Sequence, residues 1–169
     1  MTKQIVYCHF TEIRPEQFEE SSPGPPASPN VSRFRVTSEC AEADPDSAEI
    51  WTQIQALPSQ VHQRVAIAAL LMLVKVAQGG QPLTQAFDKK ALHETHAFRS
   101  SVSGKVERIW RLRRGDIRLL FYYAQDRVVL LSTILVKLRD RLTVGEQLAA
   151  EGAVDRFLEA RQRRLLRWV

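Results

Sequence analysis

The segment 105–141, KVERIWRLRRGDIRLLFYYAQDRVVLLSTILVKLRDR, constrains the fold of this chain most strongly. It contains three runs in which apolar and polar side chains alternate, which is the pattern of half-buried β-strands. Two turn signals, Gly115-Asp116 and Gln125-Asp126, separate these runs. The pattern therefore predicts a twisted, three-stranded antiparallel meander.

Alternation along the meander predicts two different faces. Whether Arg114-Gly115 or Gly115-Asp116 forms the first turn, one face carries Trp110, Leu112, Leu119 and Phe121, and the other carries Arg111, Arg113, Arg118 and Tyr122. A two-residue turn at Gln125-Asp126 places Arg118 near Thr133. It adds Val129, Leu131, Thr133, Leu135 and Lys137 to the Arg118 face, and Val128, Leu130, Ser132, Ile134 and Val136 to the Trp110 face.

Helical periodicity predicts the layer that covers the apolar face. The segment 47–57 and the longer segment 59–78 form a helical hairpin, ended by Gly79-Gly80. The pair Thr143 and Glu146 matches a capping box that opens a C-terminal helix. Strands are expected at 5–10 and 31–37, and 84–92 is expected to form a short helix followed by a loop.

These elements predict an α+β fold in which the hairpin packs on a small twisted antiparallel sheet, formed by the three-strand meander and an N-terminal strand. Because 21–30 is dense in Pro and Ser, it is interpreted as a linker. Residues 1–30 are therefore predicted to be an N-terminal extension, and 31–169 a single domain.

Charge is unevenly distributed along the chain. The formal net charge is +5, but 105–141 contains ten basic and four acidic residues, and 1–50 contains four basic and nine acidic ones. This pattern indicates a polyanionic partner for the meander, an intramolecular contact from the acidic segment, or simply an uneven solvated surface. No apolar run has membrane-spanning length, and two cysteines indicate no disulfide framework, so a cytoplasmic protein without membrane association is expected.

The predicted arginine cluster has a chemical consequence. Arginines opposite one another repel, so either carboxylates or a phosphate ligand must compensate them. Guanidinium groups can stabilise the negative charge that develops on a pentavalent phosphate, and in RNA the 2′-hydroxyl itself can be the nucleophile. Such a site requires no cofactor and no metal, and His93-Glu94-Thr95-His96 is interpreted as surface residues because it lacks a metal-binding pattern. The basic segment 161–169 either docks on the core or adds a phosphate contact.

Residues 109–122, IWRLRRGDIRLLFY, resemble the central motif of the RelE/ParE toxin superfamily, particularly its HigB-like, phage-derived branch. That motif runs Leu-Trp-Arg/Glu-Leu-Arg-x-Gly-Asp-Tyr-Arg and continues into an apolar run that ends in aromatics. The resemblance covers about 106–137 in motif and 31–160 in layout. It implies a RelE-like fold and a toxin of a type II toxin–antitoxin pair that cleaves mRNA at the ribosome by 2′-hydroxyl attack. Its partner would be an antitoxin, expected to be a helix-turn-helix protein.

The resemblance also implies roles for individual residues. Arg118 matches an arginine that stabilises the transition state in several members, Lys137 matches a basic residue that ends the last strand, and Tyr122 is a candidate acid or base. The residues expected to bind the RNA backbone are Lys105, Arg111, Arg113 and Arg139. Thr133 stands where many members carry a histidine, so the general base is unassigned. A gyrase-poisoning toxin of the ParE kind and an inactive RNA- or protein-binding module remain alternatives.

Overall fold

A computed structural model describes residues 5–18 and 33–169. Its strands are β1 Cys8–Glu12, β2 Arg35–Cys40, β3 Leu92–Arg99, β4 Val106–Arg114, β5 Ile117–Ala124, β6 Val128–Val136 and β7 Leu166–Trp168. Its helices are α1 Glu49–Gln55, α2 Gln60–Gln78, α3 Leu83–Ala86 and α4 Val144–Gln162. Within the described residues, all seven strands form one mixed sheet in the order β3-β4-β5-β6-β2-β1-β7.

The predicted small antiparallel sheet, and with it the RelE-like fold class, is wrong. The meander exists as β4, β5 and β6, but β3 extends it on one side, and β2, β1 and β7 extend it on the other. The result is a larger, sheet-dominated α+β fold. Its size depends on two parallel pairings, β2 with β6 and β1 with β7, between segments far apart in the chain. Such pairings leave no local pattern from which they could be predicted.

Strand β3 lies where a loop was expected. The short helix α3 is present, but 92–99 then pairs with β4 as an antiparallel edge strand. A β-bulge between Glu94 and His96 leaves Thr95 without a partner residue on β4. Because the bulge interrupts the two-residue period in a mostly polar sequence, the alternation pattern does not predict this strand.

Two helical layers cover the sheet. Helices α1 and α2 pack on the face that carries Leu112, Leu119 and Phe121. Ser59 caps α2 by accepting a hydrogen bond from the backbone N–H of His62, 3.2 Å away. Helix α4 begins at the predicted capping box and buries Ala150, Val154, Phe157 and Ala160 against the opposite face. The face predicted to present arginines to RNA is therefore largely covered, because α4 packs on its apolar part.

Two irregularities set the register of the meander. Arg114 pairs with Ile117, so Gly115-Asp116 forms the first turn. Gly115, the first residue of this two-residue turn, has the positive φ of 52° that such a turn requires there. The second turn contains three residues, since Ala124 pairs with Val128. A bulge at 132 adds one more residue to β6. Arg118 therefore lies opposite Leu135 rather than Thr133.

The extra residues also change which side chains share a face. Before the bulge, the predicted faces of β6 are reversed: Val129 and Leu131 join the α1/α2 layer, and Val128 and Leu130 pack under α4. Beyond the bulge, the longer turn and the bulge together shift β6 by two residues, so each side chain returns to its predicted face. Thr133 pairs with Leu120 and shares the α4 face, as predicted.

The N-terminal strand lies inside the sheet. Residues 8–12 pair with both β2 and β7, and the side chain of Phe10 is fully buried. The predicted linker at 21–30 and the first two positions of the predicted strand at 31–37 fall outside the described residues.

Helix α2 is the one helix in 5–18 and 33–169 that is long and apolar enough to cross a membrane. The core helix of a soluble protein meets the same criterion. Six residues of α2 are buried, namely Ala66, Ala69, Leu70, Leu73, Val74 and Ala77. The described part of the chain thus looks like a soluble domain.

Candidate functional site

An open cavity of about 340 Å³ lies at the N-terminal end of α4, where the arginines of the meander emerge from under the helix. Four strands, the segment after β6 and the start of α4 contribute to its wall. The polar residues that line it are His93, Thr95, His96, Arg111, Arg118, Lys137, Arg139, Asp140, Arg141, Thr143, Glu146 and Gln147. Five of these are Lys or Arg and two are carboxylates, so the cavity is positively charged.

Arg118 is a buried cation in the wall of this cavity. Its residue is 3% exposed, and its Nη1 donates hydrogen bonds to the carbonyl oxygens of Gly115 and Ile117, at 2.7 and 2.9 Å. Its Nε is buried without a hydrogen-bond partner, and none of the described carboxylates forms an ion pair with it. Burial and then the charges of Arg111 and Arg113 lower the pKa of Arg118. The negative charge of Asp116 opposes this lowering of the pKa only in part. Burying such a charge is costly, and an anion in the cavity would relieve that cost.

Arg111 supplies a second donor of the same kind. Its Nε is also buried without a partner among the described atoms, and burial followed by Arg113 lowers its pKa. Arg113 lies directly opposite Arg118 in the β4–β5 pair, is exposed, and does not line the cavity. Two guanidinium groups therefore share the wall of one cavity, and their positive charge suits it to an oxyanion.

The segment after β6 forms the cationic rim. Lys137 is held by its backbone N–H, which donates to the carbonyl of Asp116 at 2.6 Å. Its Nζ lies 2.9 Å from Asp140 Oδ1, and this hydrogen bond and charge lower the pKa of the exposed Asp140. Arg139 and Arg141 are exposed and form no ion pair with a carboxylate in the described ranges. The rim can therefore neutralise phosphates that lie next to the cavity.

His93 and His96 were missed as site residues. The bulge at Thr95 puts both on the same face of β3, beside Arg111 and under α4. His96 Nε2 lies 3.0 Å from Glu151 Oε1, and its Nδ1 lies 2.8 Å from the hydroxyl of Thr95. No local sequence signal predicts this pair. In a regular strand, residues three apart point to opposite faces, and His93 and His96 share a face only because 92–99 is a strand with a bulge.

His93 has two alternative partners at one nitrogen. Its Nδ1 lies 3.2 Å from the carbonyl oxygen of Lys89 and 3.3 Å from Arg111 Nη2. When Nδ1 carries the proton and donates to Lys89, Nε2 is a proton acceptor; when Nδ1 accepts from Arg111, Nε2 is an N–H donor. Nε2 itself has no hydrogen-bond partner in the described part of the chain. With Nδ1 protonated, Nε2 can accept a proton as a base, and the imidazolium formed in this way can return that proton as an acid.

The structure does not bring Tyr122 or Lys105 to Arg118. Both line a separate groove of about 410 Å³ toward the C-terminal end of α4. Tyr122 is 7% exposed, and its hydroxyl donates to Glu107 Oε2 at 2.8 Å. Burial and the carboxylate of Glu107 raise the pKa of Tyr122, so it holds its proton firmly. Of the predicted site residues, the cavity unites Arg111, Arg118, Lys137 and Arg139. Among 5–18 and 33–169, no three His, Cys, Asp or Glu residues are placed to hold a metal ion.

The two neighbouring tyrosines predict how stability depends on alkaline pH. Burial raises the pKa of Tyr123 to about 12, and burial with Glu107 raises that of Tyr122. The folded state therefore retains protons that the unfolded chain loses above about pH 10. The contribution is fully present below that pH and is lost as pH rises toward 12, so the free energy of unfolding should fall in this window. Urea unfolding between about pH 8 and pH 11 measures the slope. The double variant Tyr122→Phe, Tyr123→Phe should show a shallower decline; parallel declines would contradict this assignment.

Neither a protein-family model nor a curated protein matches this chain. Its function is therefore inferred from the chemistry of its own cavity and from the motif at 109–122.

Proposed function

We propose that the cavity binds the phosphodiester backbone of RNA and that the protein cleaves the bound strand by attack of a 2′-hydroxyl. The observation that carries this proposal is the buried, unpaired charge of Arg118 beside the unpaired Nε of Arg111. Proteins rarely bury an ion without a partner, because desolvation of the charge is expensive. A phosphate oxyanion in the cavity supplies the missing opposite charge.

The reaction needs proton transfer at two oxygens. A base removes the proton of the 2′-hydroxyl, O2′ forms a bond to the adjacent phosphorus, and the bond from phosphorus to O5′ breaks. O5′ takes a proton from an acid, which leaves a 2′,3′-cyclic phosphate and a free 5′-hydroxyl. Arg118 and Arg111 stabilise the charge on the non-bridging oxygens. His93 lies beside these guanidinium donors, with its Nδ1 3.3 Å from Arg111 Nη2, and in this proposal it takes the proton from the 2′-hydroxyl and returns it to O5′.

The cationic rim extends the binding surface to neighbouring phosphates. Lys137, Arg139 and Arg141 lie on one short segment after β6, and each phosphate that they neutralise releases counterions. The affinity for single-stranded RNA should then fall with salt, with a logarithmic slope of about 0.7 per phosphate contact. These phosphate contacts bind RNA independently of its base sequence.

The biological setting follows from the motif at 109–122. We propose that the protein acts in the cytoplasm as the toxin of a type II pair, cleaves mRNA at the ribosome and is neutralised by an antitoxin. A helix-turn-helix protein encoded beside it would support this part. Tyr122, a predicted acid or base, lies outside the cavity. This position favours a second candidate function, in which the protein binds RNA without cutting it.

The purified full-length chain, incubated with a single-stranded RNA of mixed sequence, tests the proposal. We expect binding that weakens with salt, together with cleavage that yields 2′,3′-cyclic phosphate and 5′-hydroxyl ends, detected by end-specific ligation and mass spectrometry. A substrate with a 2′-deoxy ribose at the cleaved position should bind and stay intact. Binding without cleavage, with and without ribosomes, would support the binding module, whereas absence of binding would reject the RNA function altogether.

A further inference from the structure

A second cationic groove, of about 290 Å³, lies at the C-terminal end of α4. Arg35 of β2, Arg161 of α4, and Arg164 and Arg167 after it line this groove. Arg161 is paired with Asp126 at 2.6 Å. The guanidinium groups of Arg35 and Arg164 form no ion pair with any carboxylate in 5–18 or 33–169. The groove therefore has an excess of positive charge, as the first cavity does.

The groove also contains an aromatic platform. Trp168 of β7 is 44% exposed at the groove wall. The guanidinium carbon of Arg35 lies 4.7 Å from the centre of its ring, and the buried ring of Phe10 lies 6.4 Å away. These contacts hold an exposed indole in a fixed place among arginines. Aromatic side chains in positively charged grooves are the platforms on which single-stranded bases stack.

Arg164 occupies a backbone conformation that does not suit an arginine. Its φ is +59°, directly after the C-terminal turn of α4, where the backbone N–H of Leu165 donates to the carbonyl of Ala160 at 2.8 Å. This is the left-handed position that closes a helix and that glycine favours. The side chain of Arg164 lines the groove from this strained position.

We propose that this groove is a second contact for single-stranded RNA, with the bases against Trp168 and the phosphates on Arg35 and Arg164. The inference rests on the proposed RNA function. The groove and the Arg118 cavity lie at opposite ends of α4, whose 19 residues span about 28 Å. The groove shares Gln125 and Arg161 with the groove that Lys105 lines, so the two grooves adjoin. A long RNA engages both ends of α4, whereas a dinucleotide fills only one.

Salt-dependent binding to the full-length chain tests this proposal, with Arg118→Ala as the parent so that the RNA stays intact. The probe is a fluorescent 20-nucleotide single-stranded RNA, and its dissociation constant is measured at several salt concentrations. Adding Arg35→Ala and Arg164→Gly should reduce the logarithmic salt slope by about 1.4, since each lost phosphate contact removes about 0.7. Adding Arg163→Ala is the matched control, because Arg163 pairs with Glu159 at 3.1 Å and does not line the groove. That variant should keep the parent slope.

A second readout separates a binding role from a structural one. Because glycine favours the left-handed conformation, Arg164→Gly alone should raise Tm by about 2–4 °C while it weakens RNA binding. An unchanged salt slope in the combined variant, with measurable salt-dependent RNA binding by the parent, would overturn the groove and leave the proposed function standing. Failure of the unsubstituted protein to bind RNA would overturn both.

Discussion

Replacing Arg118 with methionine is expected to reduce RNA cleavage by about 100- to 1000-fold, the loss typical of removing one oxyanion donor. The free energy of unfolding should stay within about 1 kcal/mol of the wild-type value or rise. Methionine fills a similar space, and the loss of a buried charge without an ion-pair partner offsets the loss of the hydrogen bonds to Gly115 and Ile117. Single-turnover cleavage and urea unfolding of the same preparation give the two quantities.

Arg108→Met is the matched control for this substitution. Arg108 lies on β4, forms an exposed ion pair with Glu94 at 2.6 Å, and does not line the cavity. Its replacement should change neither cleavage nor stability by a measurable amount, since exposed ion pairs contribute little. If Arg118→Met unfolds the protein in proportion to its loss of activity, Arg118 serves the β4–β5 turn and not a phosphate.

Replacing Phe10 with alanine is expected to lower the free energy of unfolding by about 3–5 kcal/mol. Phe10 is completely buried, meets the ring of Phe157 edge to face at 5.2 Å, and lies on the strand between β2 and β7. The total stability of a domain is only about 5–15 kcal/mol, so this single change should consume much of it. Thermal and urea unfolding measure the loss.

Val6→Ala provides the comparison within the same segment. Val6 is 69% exposed, so its truncation should stay within about 0.5 kcal/mol of wild type. A similarly small effect at Phe10 would mean that residues 1–30 are the separate extension expected from the sequence.

The same contacts bear on the hypothesis that the acidic N-terminal segment shields the meander. None of the described residues in 5–18 or 33–50 lines the Arg118 cavity, and β1 lies beyond β2, away from β4 and β5. Two of its carboxylates are engaged elsewhere, Glu12 with Arg33 and Glu39 with Arg156. Deletion of residues 1–30 should therefore destabilise the sheet. Greater RNA affinity after that deletion, with the fold intact, would restore the shielding hypothesis.

Several features of this protein were determined by the sequence alone, because each depends on residues a few positions apart. The alternation on either side of Gly115 fixed which side chains of β4 and β5 share a face, in either turn register. The helical period of α2 and the capping box at Thr143 fixed the helices that cover the sheet. The grouping of Arg111 with Arg118 was predictable for the same reason.

Only the tertiary structure decided what those arginines face. Bulges at Thr95 and Ser132 shift register by one residue, and a one-residue shift moves a side chain to the other face. The parallel pairings of β2 with β6 and of β1 with β7 join segments that are far apart in the chain. No local sequence period could therefore predict them. Helix α4 covers Tyr122, whereas Arg118 lies at the edge of the surface that α4 covers. There it lines the same cavity as His93 and His96 of β3, a strand that the sequence pattern did not predict. Local periodicity placed the arginines on one face, and non-local packing gave one of them a buried charge without a partner.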